Sequence, residues 1–299
     1  FRGTTLGLGG LYLAPFIRQL EAVGKGAAKP ARVLFFVQGN GVYPRDVQPQ
    51  GIEFPKNPSN LEERPLEGHA MSMSMDDFYL TRSQRMFLGD TVHPLLKTRG
   101  VPGTHDVSLL LETLSHLKKN HNGVAVPKFI KALDDRAPQD SWPVYNAPLD
   151  VIILEGWCLG VPSQPQKELA KDINELERRQ DTQGIWRDYV NQQLLNQYAF
   201  IWEQVDQLIM LKAPSFDCVF QWRWEQEEKL HIKVAGSNNL GLITSHGLLS
   251  QQQIRVFIQY FERLTLHGLK TVPELCQHVF YLAHERGIVK YEGRGGKFL

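Results

Sequence analysis

Three acidic side chains come directly after short apolar runs, at positions where a parallel sheet would gather them. Asp76 and Asp77 follow the run at 71–75, and Glu155 closes the run at 150–154. Carboxylates at the ends of neighbouring strands suit phosphoryl transfer, because one can hold Mg²⁺ while another accepts the proton of an attacking hydroxyl. The alternative is structural, with Asp76 capping the next helix and Glu155 paired with an arginine. The residue types alone leave both open.

Other chemistry-bearing residues lie in a loop and in two charged stretches. The glycine- and proline-rich loop 99–106 ends in His105 and Asp106, which could orient a small polyol or acid. Asp106 could equally cap the helix that follows. The stretch 128–136 gathers cations and anions, a pattern typical of a solvated, salt-bridged surface. Arg223 lies in a helical stretch, where it could reach phosphate oxygens in a closing lid or face solvent.

The elements that would position these residues alternate along the chain after His69. Apolar runs predict strands at 71–75, 150–154, 207–211 and 279–282, and helical patterns occur at 107–117, 185–205, 216–230 and 250–269. Continuous apolar runs are typical of parallel strands that are covered on both faces. The alternation therefore predicts an α/β fold built from βαβ units, with ligands at the carboxyl ends of the strands.

The first 68 residues differ in texture from the rest. The run 31–37 is a strand candidate that ends in a glycine turn, and the prolines after it exclude a long helix. Residues 1–16 are apolar and too short to span a bilayer, and they resemble the tail of a twin-arginine export signal. We therefore divide the chain into an unrelated N-terminal segment (1–68), an α/β domain (69–289) and a disordered tail (290–299).

Charge and cysteine content narrow the class of partner. With 33 basic and 32 acidic residues, the net charge of +1 offers no field for nucleic acid or anionic membranes, so any phosphate binding must be local. Cys158, Cys218 and Cys276 are far apart and form no CxxC pair, which argues against a zinc site or a disulfide framework. We expect packing cysteines in a reducing, cytoplasmic compartment and no membrane span, with the export signal as the competing interpretation.

Six segments, taken in order, resemble a known kinase family. They are Met73-Ser-Met-Asp-Asp-Phe-Tyr-Leu-Thr81, the pair His93-Pro-Leu-Leu and Arg99-Gly-Val-Pro-Gly-Thr-His-Asp106, Pro127-Lys-Phe-Ile-Lys-Ala-Leu-Asp-Asp-Arg136, Val151-Ile-Ile-Leu-Glu-Gly-Trp157, Leu211-Lys-Ala-Pro-Ser-Phe216 and Trp222-Arg-Trp-Glu-Gln226. Over about residues 71–289 the chain resembles the D-glycerate 3-kinase type of P-loop kinase, related to uridine kinase and phosphoribulokinase. The resemblance implies a P-loop NTPase-like three-layer sandwich with a mostly parallel central sheet. It also implies ATP- and Mg²⁺-dependent phosphorylation of a hydroxyl of D-glycerate.

The resemblance also implies a role for particular residues. Asp76 or Asp77 would be the catalytic base and the acid linked to Mg²⁺, and Glu155 would join Asp76 at the metal in a Walker-B-like position. Arg223 would lie in the lid over the phosphates. The acceptor would be surrounded by Tyr79, Arg99, Thr104, His105, Asp106 and Arg136.

The chain departs from that family at one point. The family begins with a strand, a Gly-x-x-x-x-Gly-Lys-Ser/Thr loop and a helix, and no such octet occurs in these 299 residues. That loop supplies a nest of backbone N–H groups, a phosphate-binding lysine and a hydroxyl for Mg²⁺. Residues 32–37 could still fill the place of the first strand. The prediction is a small-molecule kinase; the alternative is a catalytically inactive P-loop-like domain or a fusion product without nucleotide binding.

Overall fold

The computed structural model describes residues 32–38, 70–235 and 250–294, and of residues 32–38 it describes the backbone. The strands are β1 (Arg32–Gln38), β2 (Ala70–Ser74), β3 (Val124–Ala125), β4 (Phe129–Ile130), β5 (Asp135–Arg136), β6 (Val144–Tyr145), β7 (Val151–Gly156), β8 (Gln207–Lys212), β9 (His278–Leu282) and β10 (Ile288–Gly293). The α-helices are α1 (Arg82–Thr91), α2 (Val107–Lys118), α3 (Gln166–Leu169), α4 (Glu175–Gln180), α5 (Ile185–Gln193), α6 (Ala199–Trp202), α7 (Asp217–Ala235) and α8 (Gln251–Thr271).

Six of these strands form one sheet, in the order β10-β9-β8-β1-β7-β2. Neighbours from β9 to β2 pair in parallel, and β10 pairs antiparallel with β9. The predicted mostly parallel α/β sheet is therefore confirmed. The strand predicted near residue 32 is also confirmed, because β1 lies inside the sheet between β7 and β8. The carboxyl ends of five strands thus meet at one edge.

Apolar periodicity explains how the helices cover this sheet. Asp106 caps the start of helix α2, since its carboxylate accepts the N–H of Leu109 at 3.1 Å, and the helix buries one apolar stripe. That stripe, Leu110, Leu114 and Leu117, is at most 1% exposed and joins the same core cluster as the inner residues of β7. Burial of such a stripe outweighs helix propensity as a source of stability. The α2 helix predicted from residues 107–117 is therefore confirmed.

A short hairpin stands over the edge where the strands end. Strands β4 and β5 pair antiparallel, and together with Lys128 they form what we call the site hairpin, residues 128–136. Arg85 of α1 anchors this hairpin. Its guanidinium donates to the carbonyl oxygens of Lys97 (2.9 Å) and Asp134 (2.6 Å), and it pairs with the Asp134 carboxylate at 2.9 Å. Because Arg85 is 1% exposed, this contact fixes the position of the hairpin.

Residues 290–293 differ from the expectation. We expected a disordered tail from residue 290, but residues 290–293 belong to β10, which pairs with β9. The physical reason is the β-forming segment Ile288-Val-Lys-Tyr291, whose Tyr291 hydroxyl bonds the Nδ1 atom of His278 at 2.8 Å. The expectations for residues 1–31 and 39–69, and with them the division near residue 68, concern residues outside the described ranges.

Two smaller expectations concern membranes and thiols. Among the helices of the described residues, none has both the length and the apolar character needed to cross a bilayer. Cys158, Cys218 and Cys276 are free thiols, and all three are buried. Burial raises the pKa of Cys158 and of Cys276 to about 12, so these two thiols stay protonated at neutral pH.

Candidate active site

The strand-end acids come together because β2 and β7 are neighbours. Their register places Ser74 opposite Glu155, and a 3₁₀ turn, Met75–Phe78, carries Asp76 past the end of β2. The Ser74 hydroxyl accepts the N–H of Asp76 at 3.2 Å. Burial raises the pKa of Glu155 above its ordinary value, and the negative charge of Asp76 adds to the rise. The hydrogen bond from Ser74 lowers this pKa but does not outweigh the burial. Two carboxylates and one hydroxyl thus share this corner of the sheet.

Asp76 is the accessible member of the acidic pair. Its side chain is 30% exposed, its Oδ1 atom accepts the Tyr79 hydroxyl at 2.9 Å, and its Oδ2 atom lies 2.8 Å from Nζ of Lys131. Burial by itself would raise the pKa of this carboxyl, but Lys131 and the Tyr79 hydroxyl outweigh it and hold the pKa below its usual range. Asp76 is therefore an ionised and partly exposed carboxylate.

Asp77 is committed to the site hairpin instead. Its carboxylate is 10% exposed, pairs with Nζ of Lys128 at 2.6 Å and accepts the backbone N–H of Phe129 at 3.2 Å. Both oxygens are thus used to hold the first strand of the hairpin against the end of β2. The geometry separates the two adjacent acids: Asp77 positions the hairpin, whereas Asp76 is open to a ligand.

An aromatic stack joins Tyr79 to His105. The two rings lie 4.4 Å apart between centroids at an interplanar angle of 22°. Nδ1 of His105 is 2.6 Å from the Tyr198 hydroxyl, which accepts the N–H of Gly103 at 3.2 Å. Burial lowers the pKa of His105 to about 4, so the ring is neutral at pH 7. A neutral ring can accept the Tyr198 hydroxyl proton at Nδ1 or donate its own proton there, and Nε2 is buried without a hydrogen-bond partner among the described residues.

Three of the predicted substrate residues form hydrogen bonds or ion pairs in or next to the 99–106 loop. Arg136 donates to the carbonyl oxygen of Tyr79 at 2.8 Å and pairs with Asp106 at 3.0 Å, while the Thr104 hydroxyl donates to the loop's own backbone at Val101. Three of the predicted residues, Thr104, Asp106 and Arg136, therefore shape the loop. Arg99 pairs with Asp134 of the site hairpin and keeps 27% of its side chain exposed, so it can contact a ligand.

A cavity of about 470 Å³ adjoins this loop without reaching the acids. His105 and Asp106 contribute to its lining, together with polar residues of α1 and α5 such as Gln84 and Gln193. Neither Asp76 nor Glu155 lines it. The cavity is therefore separate from the corner of the sheet where the carboxylates meet.

The structure brings most of the predicted site residues together and places one elsewhere. Asp76, Asp77, Tyr79, Glu155 and the 99–106 loop form one neighbourhood around the site hairpin. Arg223 lies on α7 and pairs with Glu227 on the same helix at 2.9 Å. Its predicted role in a lid stays a prediction.

Three residues of this neighbourhood were not predicted from the sequence. Lys128 and Lys131 belong to a stretch that we took for a solvated, salt-bridged surface. Both side chains are indeed more than half exposed, and the acids with which they pair are Asp77 and Asp76. Their proximity in sequence to Arg136 was the available hint. Tyr198 lies in a π-helical turn, Leu194–Tyr198, far along the chain from its partner His105, and no local pattern marks it.

The oxygen donors at this corner fit Mg²⁺. Within the described ranges no three His, Cys, Asp or Glu side chains are grouped as a complete protein metal site. Mg²⁺ does not need one, because in phosphoryl-transfer enzymes it is held by one or two carboxylates together with water and substrate phosphates. Asp76 and Glu155 supply such carboxylates. The backbone that follows Gln38, where the family carries its phosphate loop, lies outside the described residues.

The known proteins reported below as similar to this chain are kinases. No family model matches the chain. The chain is 27% identical over 223 residues to a protein of Schizosaccharomyces pombe called uncharacterized kinase mug58, a match that covers 71% of this chain and 70% of the relative. It is 32% identical over 166 residues to the chloroplastic D-glycerate 3-kinase of Arabidopsis thaliana, covering 52% of this chain and 34% of that protein. The chain thus spans about a third of the length of the Arabidopsis enzyme.

A solved structure extends the likeness to nearly the whole chain. It is a D-glycerate 3-kinase from Cryptococcus neoformans, with a TM-score of 0.73 and 25% sequence identity, and the match covers 95% of this chain and 98% of that one. The resemblance to P-loop kinases of the D-glycerate 3-kinase type is thereby confirmed, and the fold is the α/β fold of those kinases.

Proposed function

We propose that this chain transfers the γ-phosphoryl group of ATP to a hydroxyl of a small acceptor, and that the acceptor is D-glycerate. The observation that carries the proposal is the accessible carboxylate of Asp76 beside Glu155, at the carboxyl ends of neighbouring parallel strands. The names of the relatives support both the reaction and the acceptor. The balanced charge and the free, buried thiols favour the cytoplasm as the place of action.

In this proposal each acid has its own task. Asp76 receives the proton of the acceptor hydroxyl, since it is the exposed acid of the pair. Asp76 and Glu155 would hold Mg²⁺, which when bound neutralises negative charge on the phosphates. Asp77 positions the site hairpin and touches no substrate. Arg223, on α7, would lie over the phosphates.

The acceptor would lie between Asp76 and the 99–106 loop. Arg99 offers a partly exposed guanidinium, which suits the carboxylate of a hydroxy acid. Tyr79 and His105 form one wall through their stacked rings. Thr104, Asp106 and Arg136 act through the loop, which they hold in place.

The test is ADP release by the full chain with Mg²⁺, ATP and D-glycerate. We expect turnover by the wild type and a loss of at least about a hundredfold in Asp76→Asn, because general base catalysis contributes on that scale. Asp140→Asn is the matched control, since Asp140 is an exposed acid outside the contacts of the site. Equal turnover by wild type and Asp76→Asn would contradict the assigned role of Asp76.

A second candidate is a P-loop-like domain without catalysis. One observation favours it: the sequence contains no Gly-x-x-x-x-Gly-Lys-Ser/Thr octet. Much of the transition-state stabilisation in phosphoryl transfer comes from such a loop. Calorimetric titration with Mg·ATP separates the two candidates. Heat of binding together with turnover supports the kinase, and the absence of both supports the inactive domain.

A further inference from the structure

We propose that Lys131 is an anion-binding residue of this site. Its ammonium leaves Asp76 and pairs with an anionic oxygen of a substrate. The oxygen belongs either to the carboxylate of the acceptor or to a phosphate of the nucleotide. The inference deepens the proposed function and rests on it for the identity of the substrates. It adds to the site a cation that the sequence motifs did not assign.

Exposure of the ion pair is the first reason. Nζ of Lys131 lies 2.8 Å from Oδ2 of Asp76, and the lysine side chain is 57% exposed. An ion pair this open to water contributes little to folding stability. Asp76 also keeps the Tyr79 hydroxyl as a second partner. The fold therefore does not depend on Lys131 remaining at Asp76.

The anchoring of the backbone below Lys131 is the second reason. Lys131 lies in the turn of the site hairpin, where its carbonyl oxygen accepts the N–H of Asp134 at 3.3 Å. Asp134 is held by the buried Arg85 at 2.9 Å, and Arg136 at the end of the hairpin bonds the Tyr79 carbonyl. The long lysine side chain thus pivots from a fixed backbone position. A cation mounted in this way can follow a ligand over a few ångströms without moving the hairpin.

The neighbouring lysine provides a contrast. Lys128 pairs with Asp77, whose carboxylate is 10% exposed and also accepts a backbone N–H, so Asp77 cannot be exposed without disturbing the hairpin. Asp76, in contrast, is the acid that the proposed reaction uses. Whenever the Oδ2 atom of Asp76 accepts the hydroxyl proton, the Lys131 ammonium has to move away from that atom. In the proposal an anionic oxygen of the substrate then takes the place of Asp76 beside the ammonium.

The experiment is calorimetric titration of the full chain with three probes. They are D-glycerate, Mg·ADP and inorganic tripolyphosphate, which carries phosphate oxygens without a nucleoside. The variants are Lys131→Met, Lys131→Arg to restore the charge, and Lys290→Met as a control. Lys290 is 60% exposed and pairs with Glu292 on the edge strand β10, so it matches Lys131 in exposure and in having a carboxylate partner. Thermal unfolding of Lys131→Met shows whether it is folded.

We expect Lys131→Met to bind at least one probe about tenfold more weakly, on the scale of one charge-assisted hydrogen bond, and Lys131→Arg to regain part of the loss. A loss confined to D-glycerate assigns the acceptor carboxylate, whereas a loss for Mg·ADP and tripolyphosphate assigns a donor phosphate. Unchanged affinity for all three probes, or an equal loss in Lys290→Met, would overturn the proposal.

The same titrations separate this inference from the proposed function. If the wild type binds tripolyphosphate through Lys131 but neither D-glycerate nor Mg·ADP, the lysine assignment stands and the D-glycerate kinase proposal fails. If the wild type binds none of the three probes, both proposals fail.

Discussion

At the scale of single residues, burial distinguishes side chains of the same type. Asp76 and Asp77 are adjacent in sequence, yet one is 30% exposed and the other 10%. The 3₁₀ turn at the end of β2 rotates successive side chains by about 120°, so neighbours point in different directions. The accessible acid is suited to chemistry, and the enclosed acid, with its lysine and backbone partners, is suited to holding structure.

The first prediction separates these two acids. We expect Asp77→Asn to lower the free energy of unfolding by about 1–2 kcal/mol, because the enclosed Asp77 carboxylate loses the charge that pairs with Lys128 and strengthens its bond from the Phe129 N–H. We expect Asp76→Asn to lower it by less than about 0.5 kcal/mol, since the Asp76 carboxylate is 30% exposed and its ion pair with Lys131 is open to water. Urea denaturation of both variants measures the difference. Equal stability losses would show that Asp77 is not an anchor.

The second prediction concerns pH and His105. The pKa of His105 is about 4 in the folded chain and near 6.5 when unfolded, so between these values the unfolded chain binds more protons. Stability is therefore fully present above pH 6.5 and falls as the pH drops towards 4, by on the order of 3 kcal/mol from this group. Unfolding in urea at pH 7, 5.5 and 4.5 measures the slope. The lowered pKa of Asp76 acts in the same direction at still lower pH.

A matched pair of variants assigns that slope to one residue. His105→Gln should flatten the pH dependence between 6.5 and 4, whereas His121→Gln should leave it unchanged because His121 is exposed. If both variants keep the wild-type slope, another group is responsible for it.

At the scale of elements, the site depends on how α1 holds the site hairpin. The hairpin strands β4 and β5 are two residues each, too short to be stable alone. Buried Arg85 on α1 supplies the missing stability by binding the Asp134 carboxylate and three backbone carbonyls, those of Leu80, Lys97 and Asp134. Together with the contacts of Asp77 and Arg136, this contact holds the hairpin whose lysines reach Asp77 and Asp76.

The third prediction tests that contact. Arg85→Met should cost about 3 kcal/mol of unfolding free energy, because three backbone carbonyls lose a buried donor and the Asp134 carboxylate keeps Arg99 but loses Arg85. The control is Arg82→Met on the same helix, where the side chain is exposed, and we expect a change within about 0.5 kcal/mol. Chemical denaturation measures both. A loss in Arg85→Met no larger than in the control would show that the hairpin is held by other contacts.

At the scale of the whole molecule, β1 joins the two halves of the sheet. It pairs with β7 on one side, Leu34 opposite Ile153, and with β8 on the other, Leu34 opposite Gln207. No pairing between β7 and β8 bypasses it in the described sheet order. The strand belongs to the segment that sequence texture set apart, yet the sheet is continuous only through it.

The fourth prediction follows from that position. Leu34→Pro removes an N–H from a strand with partners on both sides, so we expect the cooperative unfolding transition to be lost. Val289→Pro is the control, since Val289 lies at an irregularity in the register of edge strand β10, where proline is tolerated. Circular dichroism during thermal unfolding distinguishes them. A wild-type transition in Leu34→Pro would show that the sheet does not need β1.

The sequence by itself determined the α/β class, the order of the main strands and helices, and the position of the acids at the ends of strands. These features depend on local periodicity and on turn residues. The helix at 107–117 and the runs at 150–154 and 207–211 are examples. Only the tertiary structure decided that Asp76 rather than Asp77 is accessible, that Lys131 faces it, and that Tyr198 supports His105. Those relations join residues up to 93 positions apart. They depend on strand order and packing, which no local pattern encodes.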